Sequence, residues 1–171
     1  KSVEDESGIF EFFYNISVGL ERMMKVAVIL IELTEDIDDK EFLNSITHEG
    51  HRHRKLIERI RKNKKIVLTK EQNKLIGILH DFYNEHRYGR YDIEELSVHG
   101  KEIRVFIDYH KEFLDIEYDS VFRKHYCNDA NKNRIKIGKI IGGIAEKIYR
   151  IINDESVRLR LNSGEFIYES K

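Results

Sequence analysis

The sequence has no proline, no tryptophan and a single cysteine in 171 residues. Because sheet-rich domains usually carry proline in their turns, its absence favours helices joined by short polar loops. The lone cysteine, Cys127, excludes an internal disulfide bond and a zinc site built from several cysteines. The chain also lacks a signal-peptide pattern and an apolar run long enough to cross a bilayer, so we expect a cytoplasmic protein with no membrane partner.

Charged and apolar side chains are both abundant. Charged residues make up 36% of the chain and hydrophobic residues 40%, a balance typical of a folded, charge-rich helical protein. A length of 171 residues fits one domain, 1–171, which is large enough to bury a core without disulfides.

Apolar residues recur at steps of three and four along most of the chain, as they do in amphipathic helices. Phe13, Ile16 and Leu20 show this spacing in the first stretch, and Thr69 with Gln72 forms a capping-box pattern that marks a helix start. The sequence therefore predicts an all-α fold, an antiparallel up-down bundle of about five helices. We expect these helices over residues 9–33, 39–62, 70–88, 94–124 and 133–161.

Three glycines, Gly138, Gly142 and Gly143, fall inside the last predicted helix. Each glycine costs a helix interior about 1 kcal/mol relative to alanine. Close packing against another helix, or across a subunit interface, would offset that cost, so we expect a close neighbour at these positions.

Charge is distributed unevenly although the net charge is only −1. Residues 51–65 carry eight lysines and arginines against one glutamate, and residues 131–150 are also basic. Residues 92–119 are acidic. Such a division suits self-association or a basic groove for an anionic partner, while the alternative is a set of solvated helix faces.

The stretch FYNEHRYGRYD, residues 82–92, concentrates tyrosine and arginine at the end of the third predicted helix. Together with an aromatic-rich first helix and the segment GHRHRKLIERI at 50–60, it resembles the HEPN superfamily. Gly50-His51 followed by Lys55-Leu56 is similar to that group's Gly-His-x-Leu element. The resemblance implies a helical domain of a bacterial defence, toxin–antitoxin or nucleotidyltransferase-partner system.

Active HEPN members resemble one another in an arginine followed, four to six residues later, by a histidine. They cleave RNA without metal, the arginine stabilising charge on phosphate and the histidine moving protons. After Arg87 the next histidine is His99, which is too far away. Arg104 and His110 have the spacing, but Val105 is apolar and the two positions point about 120° apart on a helix. We therefore expect binding without catalysis and leave His86, Arg87 and Arg90 as weak catalytic candidates.

The anion-binding candidates come from the same stretch. Arg87 and Arg90 share a helical face, and a two-fold axis there would double them into a phosphate cradle. Tyr83, Tyr88 and Tyr91 could stack on bases. The structural alternative is that these arginines pair with nearby acids and close a helix corner.

A second cluster, His48, His51 and His53, is a weak alternative site for a metal. Arg52 and Arg54 would repel a divalent cation there, so we expect no metal and no cofactor.

The resulting hypothesis is a homodimeric component that binds RNA, a nucleotide or a cognate protein and has no catalytic activity. A structural or protein-interaction bundle is the alternative, and a metal-independent HEPN ribonuclease is the third reading.

Overall fold

The computed structural model describes residues 6–33, 39–48, 52–86, 101–114, 116–119, 124–127 and 130–161. Within them the helices are α1 (Glu6–Glu32), α2 (Asp39–His48), α3 (His53–Asn63), α4 (Lys70–Asp81), α5 (Lys101–Phe113) and α6 (Ala130–Arg158). A π-helical turn, Phe82–His86, extends α4. Strands β1 (Ile116–Asp119) and β2 (Lys124–Cys127) pair antiparallel, with Ile116 opposite Cys127. The protein is all-α in class, as predicted; the up-down order of the helices and the single domain stay predictions.

Helix α1 lies at the centre of the packing and contacts α3, α4, α5 and α6. Phe13, Leu20 and Ala27 are buried on one stripe, as the periodicity predicts, and Met24 and Val28 are buried beside them. Helix α6 contributes a matching stripe of Ile137, Ile144, Ile148 and Ile152. None of the helices in the described part of the chain has the length and apolar character needed to span a bilayer.

The capping box at the start of α4 is confirmed. The Thr69 hydroxyl accepts a hydrogen bond from the Gln72 amide at 3.3 Å, and the Gln72 side-chain oxygen accepts one from the Thr69 amide at 3.0 Å. Two of the amides that a helix start leaves unpaired are satisfied in this way.

The prediction of one helix over 39–62 is wrong. Helix α2 ends at His48 and α3 begins at His53, after Arg52, whose backbone (φ −89, ψ 73) is not helical. The non-helical ψ of Arg52 turns the chain out of a helical path, so the segment holds two helices rather than one.

The prediction of a helix over 94–124 is also wrong at its end. Helix α5 stops at Phe113, and the chain then forms β1 at Ile116–Asp119. Residues IEYD and KHYC contain a β-branched residue and two tyrosines, which favour strands, and each short strand supplies the other's hydrogen-bond partners.

The third predicted helix, 70–88, is α-helical only to Asp81 and then widens into the π turn. The Asn84 side-chain amide donates a hydrogen bond to the His80 carbonyl oxygen at 2.7 Å. A side chain that binds a helix carbonyl competes with the regular backbone pattern, which explains the wider turn.

The last helix is offset from the predicted 133–161 and runs from Ala130 to Arg158. It closes with the amide of Arg160 bonded to the Val157 carbonyl at 3.1 Å and that of Leu161 to the Ser156 carbonyl at 2.9 Å. Arg160 adopts φ 54, the left-handed conformation that such a helix end requires.

A buried carboxylate, Glu155, joins the end of α3 to the last turns of α6. It is 3% exposed, forms an ion pair with Lys64 and accepts a hydrogen bond from Arg158 Nε at 2.6 Å. Burial raises the pKa of Glu155, but the hydrogen bonds and charges of Lys64 and Arg158 outweigh burial and bring the pKa below its ordinary value of 4.5.

We expect Glu155→Gln to lower the free energy of unfolding at pH 7 by about 1–2 kcal/mol. A carboxyl whose pKa is lowered by folding stabilises the protein above its unfolded pKa, and that contribution disappears as pH falls through the folded pKa. Urea denaturation at a series of pH values should therefore show a steeper loss below about pH 4.5 in the wild type than in the variant.

The control is Glu146→Gln, which removes the exposed pair between Glu146 and Arg150 on the same helix. An exposed pair of this kind contributes at most about 0.5 kcal/mol. Parallel pH profiles for the wild type and Glu155→Gln would contradict the proposed role of Glu155.

Candidate nucleic-acid interface

Helix α3 is amphipathic, with a buried apolar side and a solvent side rich in cations. His53, Leu56, Ile57 and Ile60 are buried at helical spacing. This spacing orients the remaining positions outward, because side chains three or four residues apart share a face. Five exposed cations form what we call the basic face: Lys55, Arg61 and Lys62 on the helix, Arg52 before it and Lys65 after it.

Three other cations of this segment are used to hold the fold together. Arg59 makes two hydrogen bonds to the carboxylate of Glu32 on α1, one of them from Nε at 3.0 Å. Arg54 donates to Asp81 of α4 at 3.0 Å, and Lys64 pairs with Glu155 of α6 as described above. Glu32, Asp81 and Glu155 are therefore already paired with these three cations.

The basic face differs from those three cations in having no acidic partner among the described residues. Arg61 donates to the side-chain oxygen of Asn73 at 2.5 Å, which fixes its guanidinium beside the first turn of α4 but leaves its charge uncompensated. The carboxylate of Glu58, which is exposed one turn before Lys62, partly offsets the positive charge of this face. The net result is a set of exposed cations spread around the solvent side of a helix that is anchored on its other side.

Arg61 and Lys62 also lie in the last turn of α3. Cations there interact favourably with the helix dipole, by about 0.3–1 kcal/mol each. The helix dipole therefore gives Arg61 and Lys62 a structural role that needs no ligand. Measuring stability as well as binding separates this structural role from a role in binding a ligand.

Most of the site residues predicted from sequence fall outside the described residues: Arg87, Tyr88, Arg90, Tyr91 and His51. His86 is the last residue of the π turn and His48 the last of α2, and neither side chain is described. The phosphate cradle predicted at Arg87 and Arg90 therefore stays a prediction.

Two predicted site residues are described and both are buried. Tyr83 is 3% exposed, so its ring has almost no surface on which a base could stack in this conformation. His53 is 0% exposed, and its Nε2 lies 2.9 Å from the carbonyl oxygen of Ser17. Because a carbonyl only accepts, that nitrogen carries a proton and has no lone pair for a metal. Across the described residues there is no group of three or more histidine, cysteine, aspartate or glutamate side chains placed to hold a metal ion.

The sequence identified residues 51–65 as basic but did not show which cations are outward and unpaired. Ion pairs such as Arg59–Glu32 join residues 27 positions apart, so periodicity within α3 carries no signal for them. A pattern that separates outward from inward positions of α3 would have found the basic face, but not its distinction from the three anchoring cations.

No protein-family model, curated protein sequence or solved structure matches this chain. Of the residues that carry the resemblance to HEPN domains, Gly50 and His51 lie outside the described part, whereas Leu56 is fully buried in the core.

Proposed function

We propose that this protein binds single-stranded RNA through the basic face without cleaving it, as a HEPN-like component of a bacterial defence or toxin–antitoxin system. The single observation that supports binding is the set of exposed cations on and beside α3 with no acidic partner among the described residues. A cytoplasmic location, a homodimeric state and a cognate protein partner are the predictions that accompany this proposal.

The geometry of α3 suits a phosphate backbone. From Lys55 to Lys62 the helix rises about 10 Å, at about 1.5 Å per residue, and the two lysines share one face. The basic face is thus long enough to contact more than one phosphate of a strand.

Binding without turnover follows from the spacing of arginine and histidine. Cleavage of the HEPN kind needs a histidine close to the arginine that holds the phosphate, and the sequence after Arg87 does not supply it at the usual distance. The basic face itself has only one histidine within its span, the buried His53.

The experiment measures binding of a fluorescent single-stranded RNA by anisotropy across a range of salt concentrations. We expect Lys55→Gln/Lys62→Gln/Lys65→Gln to weaken binding at least about tenfold and to reduce the slope of log affinity against log salt by about 2, since each phosphate contact on a single strand contributes about 0.7. These residues are exposed, so each substitution should change the free energy of unfolding by no more than about 0.5 kcal/mol.

The matched control removes three exposed cations from α6: Arg134→Gln/Lys136→Gln/Lys139→Gln. It changes the net charge equally, so an equal loss of affinity in both triple variants would mean a diffuse charge effect and contradict an interface on α3. Binding that is insensitive to salt would contradict the proposal as well.

Two further outcomes identify the other readings. RNA that is cut in the presence of a chelator, with cleavage lost in His86→Ala or Arg87→Ala, would show the ribonuclease. No RNA binding together with a stable dimer in light scattering would favour the protein-interaction bundle.

A further inference from the structure

A cavity of about 490 Å³ lies between α4 and α5 and borders the basic face at Asn73, the residue that holds Arg61. Its volume falls in the range of small-molecule sites, which is about 300–1,000 Å³. Ile78 from α4 and Val105 from α5 provide apolar surface on the two sides, and Arg54 of α3 closes one end.

The glycine at the middle of α4 shapes this end of the cavity. A Cβ atom placed on Gly77 would lie 3.3 Å from Arg54 Nη2, which is tighter than most real contacts. Without that carbon the guanidinium lies against α4 and reaches the carboxylate of Asp81 at 3.0 Å, one turn further along the same face. Gly77 therefore allows an ion pair to line the cavity.

Most of the lining charges compensate one another. Arg54 is paired with Asp81, and Glu112 is paired with Lys70 at 2.7 Å. Two lining charges remain that have no partner among the described residues: the ammonium group of Lys74 on α4 and the carboxylate of Asp108 on α5. They have opposite signs and come from opposite walls.

The deep side of the cavity is formed by Tyr109, which is 2% exposed and donates its hydroxyl to the Glu71 carbonyl oxygen at 3.2 Å. Burial, followed by the charges of Glu71 and Glu112, raises the pKa of Tyr109, so its hydroxyl stays protonated and adds no negative charge. The unpaired lining charges are therefore one positive and one negative.

We infer that this cavity binds a small zwitterion, a free α-amino acid or a short peptide, with its ammonium group at Asp108 and its carboxylate at Lys74. An apolar side chain of the ligand contacts Ile78 and Val105. A nucleotide, which carries several negative charges, would be repelled by Asp108, and a polyamine would be repelled by Lys74. A ligand with one charge of each sign is the class that matches both walls.

The test measures binding to the full chain by isothermal titration and by thermal shift, with four probes: leucine, the dipeptide leucyl-leucine, N-acetyl-leucine and leucine amide. The first two are zwitterions of different length, so the one that binds more tightly shows whether the cavity prefers a free amino acid or a peptide. N-acetyl-leucine lacks the ammonium group and leucine amide lacks the carboxylate. We expect each blocked probe to bind about tenfold more weakly than leucine, because a charge-assisted hydrogen bond is lost.

Variants connect each charge to its residue. Asp108→Asn should weaken the zwitterion about tenfold and leave N-acetyl-leucine unaffected, whereas Lys74→Met should weaken the zwitterion similarly and leave leucine amide unaffected. Asp154→Asn and Lys139→Met, exposed on α6, are matched controls that should leave the affinities of the zwitterions and of the blocked probes unchanged. Failure of both zwitterions to bind at millimolar concentration, or affinities that the Asp108 and Lys74 variants leave unchanged, would overturn the inference.

Discussion

Replacing His53 with alanine is expected to lower the free energy of unfolding by about 3 kcal/mol, because it empties a fully buried position and removes a buried hydrogen bond. His53 is the first residue of α3, and its ring donates through Nε2 to the carbonyl oxygen of Ser17 in α1 at 2.9 Å. The Tyr83 ring is tilted against the His53 ring, and the two ring centroids are 6.3 Å apart. One imidazole thus connects α1, α3 and the π turn that follows α4.

Three controls separate volume from hydrogen bonding in urea denaturation at pH 7. His53→Phe keeps a ring in the site and should cost about 1–2 kcal/mol, the cost of a carbonyl left without its donor. Lys55→Ala, exposed on the same helix, should stay within about 0.5 kcal/mol.

Ser17→Ala is the third control. The Ser17 hydroxyl is buried with no hydrogen-bond partner in the described part of the chain, whereas the carbonyl that His53 uses is retained in alanine. The variant should be as stable as the wild type or slightly more stable. A His53→Ala protein that loses less than about 1 kcal/mol would show that this position is not a structural connection.

The adjacent glycines of α6 are expected to respond in opposite ways to alanine. Gly142 is exposed, and a Cβ atom there would meet nothing within 4 Å, so Gly142→Ala should stabilise by up to about 1 kcal/mol through helix propensity. At Gly143 the same carbon would lie 2.7 Å from Nε2 of Gln72. We therefore expect Gly143→Ala to be roughly 2 kcal/mol less stable than Gly142→Ala.

The reason is that Gln72 cannot move away freely. It is 5% exposed, and its side-chain oxygen accepts hydrogen bonds from the Thr69 amide at 3.0 Å and from Lys147 Nζ at 2.7 Å. Displacing it breaks the capping box of α4 and the contact with α6, and the loss of a cap costs about 0.5–2 kcal/mol.

A double-mutant cycle tests this explanation by thermal or urea unfolding. In the background of Gln72→Ala the obstacle is absent, so Gly143→Ala should become stabilising and differ from Gly142→Ala by less than about 0.5 kcal/mol. If the difference between the two alanine variants persists in that background, the contact with Gln72 is not its cause.

These glycines also show how far a sequence pattern reaches. Three glycines within one predicted helix led us to expect a close neighbour at each. Among the described residues the expectation is confirmed at Gly143, whereas nothing lies within 4 Å of a Cβ at Gly138 or Gly142. A glycine is required only where a neighbouring group would clash with a Cβ atom. At Gly143 that group is the side chain of Gln72, which is more than sixty positions away along the chain.

The helix predictions were likewise confirmed for some elements and wrong for others. The stripes of α1 and α6 and the capping box of Thr69 and Gln72 are local patterns, and the structure confirms them. The helices predicted over 39–62 and 94–124 were wrong where they were extended through Arg52 and past Phe113. Past Phe113 the apolar spacing over a few residues is shared by helices and strands, and strand pairing decided between them.

The candidate sites show the strongest contrast. Counting charges along the chain located the basic segment at residues 51–65, because charge is a property of each residue alone. Which of its cations are exposed and unpaired depends on partners on other helices, such as Glu32, Asp81 and Glu155. The cavity left no pattern in the sequence, since its walls come from three helices and its shape depends on the absence of a side chain at Gly77.

The sequence by itself determined that this protein is helical, where its longest helices run, and that one short segment is strongly basic. These properties follow from interactions within a few turns, which apolar spacing and local capping describe. Only the tertiary structure decided which exposed cations of α3 have no acidic partner among the described residues and that Gly143 but not Gly142 is crowded. It also decided that one positive and one negative charge lining a cavity lack such a partner. Each of these depends on side chains far apart in the chain, as with Gln72 and Lys147 at a separation of 75 residues.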